Sequence, residues 1–181
     1  MIALLRAVNV GGRNTVAMAR LREIVGECGY VGARTYVQSG NVVFLAPERS
    51  ATAVAARLEA AIAEALSINP GVVARTRDEL AGVIERNPYA DRGAEPTQVH
   101  VVFLPGTARA DLGGFDVAAY APEEAHAIGH ELFLYCPDGV GRSRLAADLA
   151  RRKGPGGTMR NWRTVTRLLA LADEVAAAET P

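Results

Sequence analysis

Arg34-Thr-Tyr-Val-Gln-Ser-Gly-Asn-Val-Val-Phe-Leu45 decides the fold. Two runs of β-branched, aromatic and apolar character, 34–38 and 41–45, flank Ser39-Gly40, a pair suited to a tight turn. The stretch reads as a strand, turn and strand. Ahead of it, residues 2–6 form a short apolar run stopped by Asn9 and Gly11-Gly12, which predicts a buried strand followed by a loop. Met18, Leu21, Ile24, Val25 and Cys28 then recur at helical spacing, with Thr15 as the cap and Gly29 as the stop. After the hairpin, Ser50 opens an Ala-rich helix to about Leu66, with Val54, Leu58, Ile62 and Leu66 on one face. Asn69-Pro70-Gly71 breaks it, and residues 72–76 return as a strand.

The order β-α-β-β-α-β is that of the split βαβ, ferredoxin-like sandwich, an antiparallel sheet with helices on one face. The rest of the chain partly repeats it. A helix over 78–85 and a polar loop over 87–96 lead to a strand over 98–104. A weak helical stretch follows near 108–113, and strands over 125–128 and 131–135 turn at Gly129-His130. Helices over 143–152 and 160–177 end the pattern. The expected fold is α+β with two ferredoxin-like halves, residues 1–76 and 77–181. The second is expected to end in a helix in place of a fourth strand.

Length and composition suit a soluble globular protein: 181 residues, 49% hydrophobic and 22% charged. No apolar stretch reaches the roughly 18 residues needed to cross a bilayer. Residues 1–6 lack the basic leader and long apolar run of a signal peptide, so a cytoplasmic location is expected. Net charge is zero but unevenly spread. Residues 142–167 hold eight Lys or Arg against Asp148, and residues 1–22 hold four Arg and no acid. Such asymmetry creates local positive fields that suit an anionic ligand.

Three Gly/Arg/Asn-rich segments carry that charge: Arg6-Ala-Val-Asn-Val-Gly-Gly-Arg-Asn14, Asp138-Gly-Val-Gly-Arg-Ser-Arg144 and Gly156-Gly-Thr-Met-Arg-Asn-Trp-Arg163. A Gly-rich turn ahead of a helix exposes backbone N–H groups at the positive end of the helix dipole. The candidate ligand-binding residues are Arg6, Asn9, Gly11, Gly12, Arg13, Arg142, Ser143, Arg144, Asn161 and Arg163. The arginines supply charge, and Asn9 and Asn161 supply orientation. Ser143 also reads as a plain N-cap, and Gly11-Gly12 as a plain loop. Neither a phosphate-binding Walker loop nor a dinucleotide fingerprint is present.

Residues Leu4-Leu-Arg-Ala-Val-Asn-Val-Gly-Gly12, Thr35-Tyr-Val-Gln-Ser-Gly-Asn-Val-Val-Phe44, Asp138-Gly-Val-Gly-Arg-Ser-Arg-Leu145 and Arg160-Asn-Trp-Arg-Thr-Val-Thr-Arg-Leu168 resemble a bacterial family known as domain of unknown function 1697. The resemblance extends over nearly the whole chain. It implies an α+β fold with duplicated ferredoxin-like halves and no established activity. Ala7 stands where many relatives carry Gly.

Catalytic signals are sparse. His126 and His130 have a helical metal spacing but lie in a hairpin, and neither Cys28 nor Cys136 belongs to a ligand motif. Ser39 lacks the nucleophile-elbow context, and Glu123-Glu124 reads as a solvated pair. No metal or cofactor is expected. RNA recognition through stacked strand aromatics is disfavoured, because residues 2–6 have none and residues 41–45 lack the aromatic motif. The expectation is a protein that binds a phosphate-bearing anion, a nucleotide or a nucleic-acid backbone, in a cleft where the three segments converge. A metal-free phosphate hydrolase or transferase and a protein-interaction adaptor are the competing classes, and no membrane partner is expected.

Overall fold

A computed structural model describes residues 1–178 apart from 10, 12, 13, 153 and 155. By contacts the chain divides into unit 1, residues 1–81 with 167–181, and unit 2, residues 82–166. Each is organised around a four-stranded antiparallel sheet.

In unit 1, β1 (Ile2–Leu5), β2 (Val31–Tyr36), β3 (Asn41–Leu45) and β4 (Val72–Arg75) form a sheet of order β2-β3-β1-β4. α1 (Met18–Glu27) and α2 (Ala51–Leu66) cover one face. Their Leu21, Ile24, Val25, Val54, Leu58 and Ile62 join Ala3, Leu5, Val42, Phe44, Val72 and Ala74 in one core cluster. The alternate positions Ile2, Leu4, Val43 and Val73 are buried as well. An antiparallel sheet with one wet face would show alternation. Here the second face is also removed from water.

Local chemistry explains most boundaries. Ser50 Oγ accepts from Ala53 N at 3.2 Å and caps α2. Gly29, at φ +82°, ends the chain's run beyond α1 in the left-handed region that glycine reaches at little cost. Thr15 does not cap α1. The helix begins at Met18 with Ala17 ahead of it and no side-chain cap, because Asn9 Oδ1 accepts from Val16 N at 2.8 Å and holds that stretch extended. The first hairpin turns over residues 37–40 and not over a two-residue loop. Val37 sits at φ +49° and Gly40 at φ +71°.

After α3 (Arg77–Glu85), unit 2 contains β5 (Val99–Phe103), β6 (Glu124–Ile128), β7 (Glu131–Tyr135), α4 (Arg144–Arg151) and β8 (Thr158–Asn161). α5 (Trp162–Ala178) follows directly, and its residues from Arg167 onward group with unit 1. There the ion pairs Arg34–Glu174 and Arg77–Asp173 engage it. The expected helical ending is therefore corrected: a fourth strand precedes the helix. β8 pairs antiparallel with β5 over four positions, from His100 opposite Asn161 to Phe103 opposite Thr158. Its four residues, Thr-Met-Arg-Asn, carry no apolar alternation, so only the available edge of β5 makes them a strand.

The sheet order β6-β7-β5-β8 repeats that of unit 1 strand for strand. Capping repeats too, since Ser143 Oγ accepts from Ala146 N at 2.9 Å at the start of α4, just as Ser50 does for α2. The counterpart of α1 is missing. The expected helical stretch at 108–113 is irregular, because Asp111 Oδ1 takes Gly113 N into a turn and Gly114 follows at φ +70°. A short 3-10 turn, Val117–Tyr120, stands in its place. Leu112, Phe115, Val117 and Tyr120 of this segment pack on Leu134, Leu145 and Ala146.

Removal of either capping hydroxyl is expected to be mild and similar in both units. Ser50→Ala and Ser143→Ala should each cost about 1 kcal/mol in urea unfolding. A much larger loss at Ser143 alone would contradict the shared capping role.

Candidate anion site

The first basic segment leaves β1 in unit 1. Arg6 N donates to Gly71 O at 2.8 Å, and the Arg6 side chain passes over Gly71 into solvent. Beyond it the backbone is unusual: Ala7, Asn9, Gly11 and Asn14 all have positive φ. Asn9 holds this loop together. Its Nδ2 donates to Val16 O at 3.0 Å and to Gln38 O at 2.8 Å, tying the loop to the hairpin turn. Asn14 Nδ2 adds a bond to Ala7 O. Both amide hydrogens of Asn9 are thus spent inside the protein, leaving it little with which to orient a ligand. Gly12 and Arg13 lie outside the described residues.

The second and third segments both belong to unit 2: the second begins just past the end of β7, and the third runs along β8 to reach that same end of the sheet at Asn161. The end of β7 meets the start of β5, with Tyr135 opposite Val99. The end of β8 meets the same start from the other side, with Asn161 opposite His100. Neighbouring strands lie about 4.8 Å apart, so the chain leaving β7 and the chain leaving β8 are separated by about 10 Å at the backbone. The Cys136 N–H to Gln98 O and Gln98 Nε2 to Pro137 O bonds, 2.8 and 2.9 Å, fix the first of them. Arg142 ends a 3-10 turn, Ser143 caps α4 and Arg144 begins it. On the other side Asn161 Oδ1 accepts from Thr164 N at 2.9 Å, capping α5, and Arg163 lies in its first turn.

Most surface arginines elsewhere are neutralised. Arg20, Arg34, Arg57, Arg77, Arg92, Arg151 and Arg167 each meet a carboxylate. Among the described residues, Arg6, Arg142 and Arg163 meet none. Arg144 lies over the Tyr120 ring, 5.9 Å from its centroid, and Tyr120 OH donates to Asp148 Oδ2 at 2.8 Å. That hydrogen bond, with Arg151 beside it, holds the Asp148 carboxyl below its ordinary range. Asp148 accepts hydrogen bonds from Tyr120 and Arg151, and Arg144 adds its charge from beyond hydrogen-bonding reach. Among the described residues no three His, Cys, Asp or Glu side chains come together as a metal site would require, and no helix is long and apolar enough to cross a membrane.

With the fold and this geometry in hand, the chain can be compared with known proteins. The profile of a family described as Protein of unknown function (DUF1697) matches residues 1–133. The chain belongs to that family. The matched stretch runs from β1 into β7, so the second and third basic segments of this DUF1697 protein lie beyond it. A solved structure of a conserved bacterial protein from Streptococcus pneumoniae is similar, with a TM-score of 0.72 and 20% identity over 94% of this chain and 97% of that one. At that identity the likeness concerns the fold alone. No curated protein matches the chain.

Several polar residues of this DUF1697 protein whose burial the sequence did not reveal lie inside it: Asn41, Arg75, His100, Glu131, Thr158 and Arg160. Arg75 and Arg160 occupy equivalent positions in β4 and β8, and each donates to the carbonyl of the residue before it, Ala74 and Met159. Burial pushes the Arg160 guanidinium down to about 10, still charged at neutral pH. Arg160 Nη1 also donates to Thr158 Oγ1 at 2.7 Å. A run of arginines reads as a solvated face, and only strand pairing reveals that Arg160 points inward while Arg163 remains exposed. His100 had one usable signal, a histidine amid valines in an apolar strand.

Proposed function

We propose that this DUF1697 protein binds a phosphate-bearing anion, a nucleotide or a nucleic-acid backbone, at the end of sheet 2 where β7 and β8 hand over to helices. The observation that carries the reading is the pair of arginines without a carboxylate partner, Arg142 in the turn before α4 and Arg163 in the first turn of α5. Helix N-termini offer backbone N–H groups and a partial positive charge to an anion, and arginine adds bidentate, mobile donors. Arg144 joins them from the first position of α4. Asn9 serves the loop that follows β1 in unit 1.

Thermal unfolding with nucleotides, sugar phosphates and oligonucleotides at low and high salt tests the reading. A phosphate ligand should raise the melting temperature, with a steep salt dependence for a polyanion and a modest one for a mononucleotide. Arg144→Ala and Arg163→Ala should each weaken binding by about twofold to fivefold, as expected of solvent-exposed charges. Absence of stabilisation by every phosphate compound would falsify the proposal.

A further inference from the structure

The side chain of His100 is almost wholly enclosed, with 5% of the residue exposed, and its Nδ1 has no hydrogen-bond partner. Buried polar nitrogens are seldom left unmet, since each carries a desolvation cost that no partner offsets. His100 stands directly opposite Asn161, so the two side chains rise side by side from the same face of sheet 2. On the other flank Leu134 stands opposite His100, and Cys136, two residues further on and on the same face, donates its N–H to Gln98 O. The imidazole therefore stands beside the residue that caps α5. Asn161 spends its Oδ1 on the cap, and its amide hydrogens remain for another acceptor.

Resting on the anion reading above, we infer that the ligand is a terminal phosphate monoester, with His100 and the Asn161 amide each donating a hydrogen bond to its oxygens. Contact with so enclosed an imidazole requires its cover to yield, and an end group with nothing beyond it demands the least displacement. An internal phosphodiester carries chain on both sides and a single charge, and fits only the exposed arginines. A monoester offers three terminal oxygens and up to two negative charges.

Protonation follows from the surroundings. In the free protein, burial holds the imidazole below its ordinary value, opposed by the Gln98 carbonyl. The titratable and charged groups at this end of the sheet are Tyr135 at the end of β7, Cys136 and Asp138 just past it, Glu123 before β6, Glu124 at its start with Arg92 paired to it, Arg142 before α4, Arg144 on α4 and Arg163 on α5. Glu123 is engaged, its Oε2 accepting from Leu145 N at 2.9 Å. A second positive charge beside the arginines is unfavourable until an anion arrives. Binding should then draw a proton from solvent onto His100, and affinity should rise as pH falls through the imidazole's raised value in the complex, levelling off below its lowered value in the free protein.

The test is an NMR titration of the His100 ring in the full chain, assigned by its loss in His100→Gln, with and without adenosine 5′-monophosphate. The expected result is an increase of about tenfold or more in proton affinity when the nucleotide is present. His100→Gln should weaken monophosphate binding by about tenfold and flatten its pH dependence. In the wild-type protein, an oligothymidylate lacking terminal phosphates should leave the His100 titration where it stands in the free protein. A His100 titration unmoved by saturating monophosphate, while Arg144→Ala and Arg163→Ala still reduce stabilisation, overturns the inference and leaves the anion site standing. Failure of every phosphate probe to bind overturns both. Should His100→Gln fail to fold, the wild-type titration, with the three histidines distinguished by His126→Gln and His130→Gln, decides alone.

Discussion

Phe44→Ala is expected to lower the free energy of unfolding by about 3–5 kcal/mol, read from urea denaturation midpoints. Phe44 lies in the central strand β3 with no exposure, and its ring stacks on Tyr30 at 4.8 Å between centroids and 16° between planes. It belongs to the cluster that joins sheet 1 to α1 and α2, so truncation removes apolar contacts and leaves a cavity that three elements would have to close. Whole domains are stable by only about 5–15 kcal/mol, so the loss is a large fraction of the total. A change below about 1 kcal/mol would mean that the site is not packed as described.

Gly40→Ala should cost about 2–4 kcal/mol by the same measurement, from two separate causes. Gly40 has φ +71°, where an L side chain is strained. An added Cβ would also come to 2.5 Å from Val8 Cγ2 and 2.7 Å from Leu5 Cβ, both inside the core. The carbonyl of Gly40 accepts from Leu5 N at 2.8 Å, so the backbone cannot withdraw without breaking that bond. Gly29→Ala separates the two causes. At φ +82° with nothing within 4 Å of the new methyl, it should lose only about 1 kcal/mol. Equal losses at both positions would show that the close approach in the hairpin is not real.

The same hairpin shows how far sequence reading reaches. Residues 41–45 are a strand as expected, but the turn takes in Val37 and Gln38 as well. Turn chemistry named Ser39-Gly40, whereas the position of the turn was set by the side chain of Asn41, which donates to Tyr36 O and Ser39 Oγ, and by the room beneath Gly40. In the second hairpin no such side chain intervenes, and Gly129-His130 form the two-residue turn that their sequence indicates. For the candidate site, the segments themselves were legible as Gly, Arg and Asn clusters before helices. Their roles were legible only in part. Ser143 was readable as an N-cap and is one, whereas Asn9 makes bonds to Val16 and Gln38 backbone that only placed atoms reveal, and the lack of a partner for His100 Nδ1 shows only once its ring is seen to be buried.

By itself the sequence determined the elements whose causes are local: α2 from its Ser50 cap and 3.6-residue apolar spacing, β7 from its apolar run, and the stops at Gly29 and Gly129. It also determined the split βαβ order, because that order follows from the succession of such elements. Tertiary structure decided what depends on partners distant in the chain. β8 exists because β5 offers an unpaired edge, and the last turns of α5 group with unit 1 because contacts such as Arg77 with Asp173 hold them there. Arg160 is buried and Arg163 exposed by the change from strand to helix between them. Spacing along a chain fixes which residues can share a face, but hydrogen-bond pairing between remote strands fixes which faces meet water.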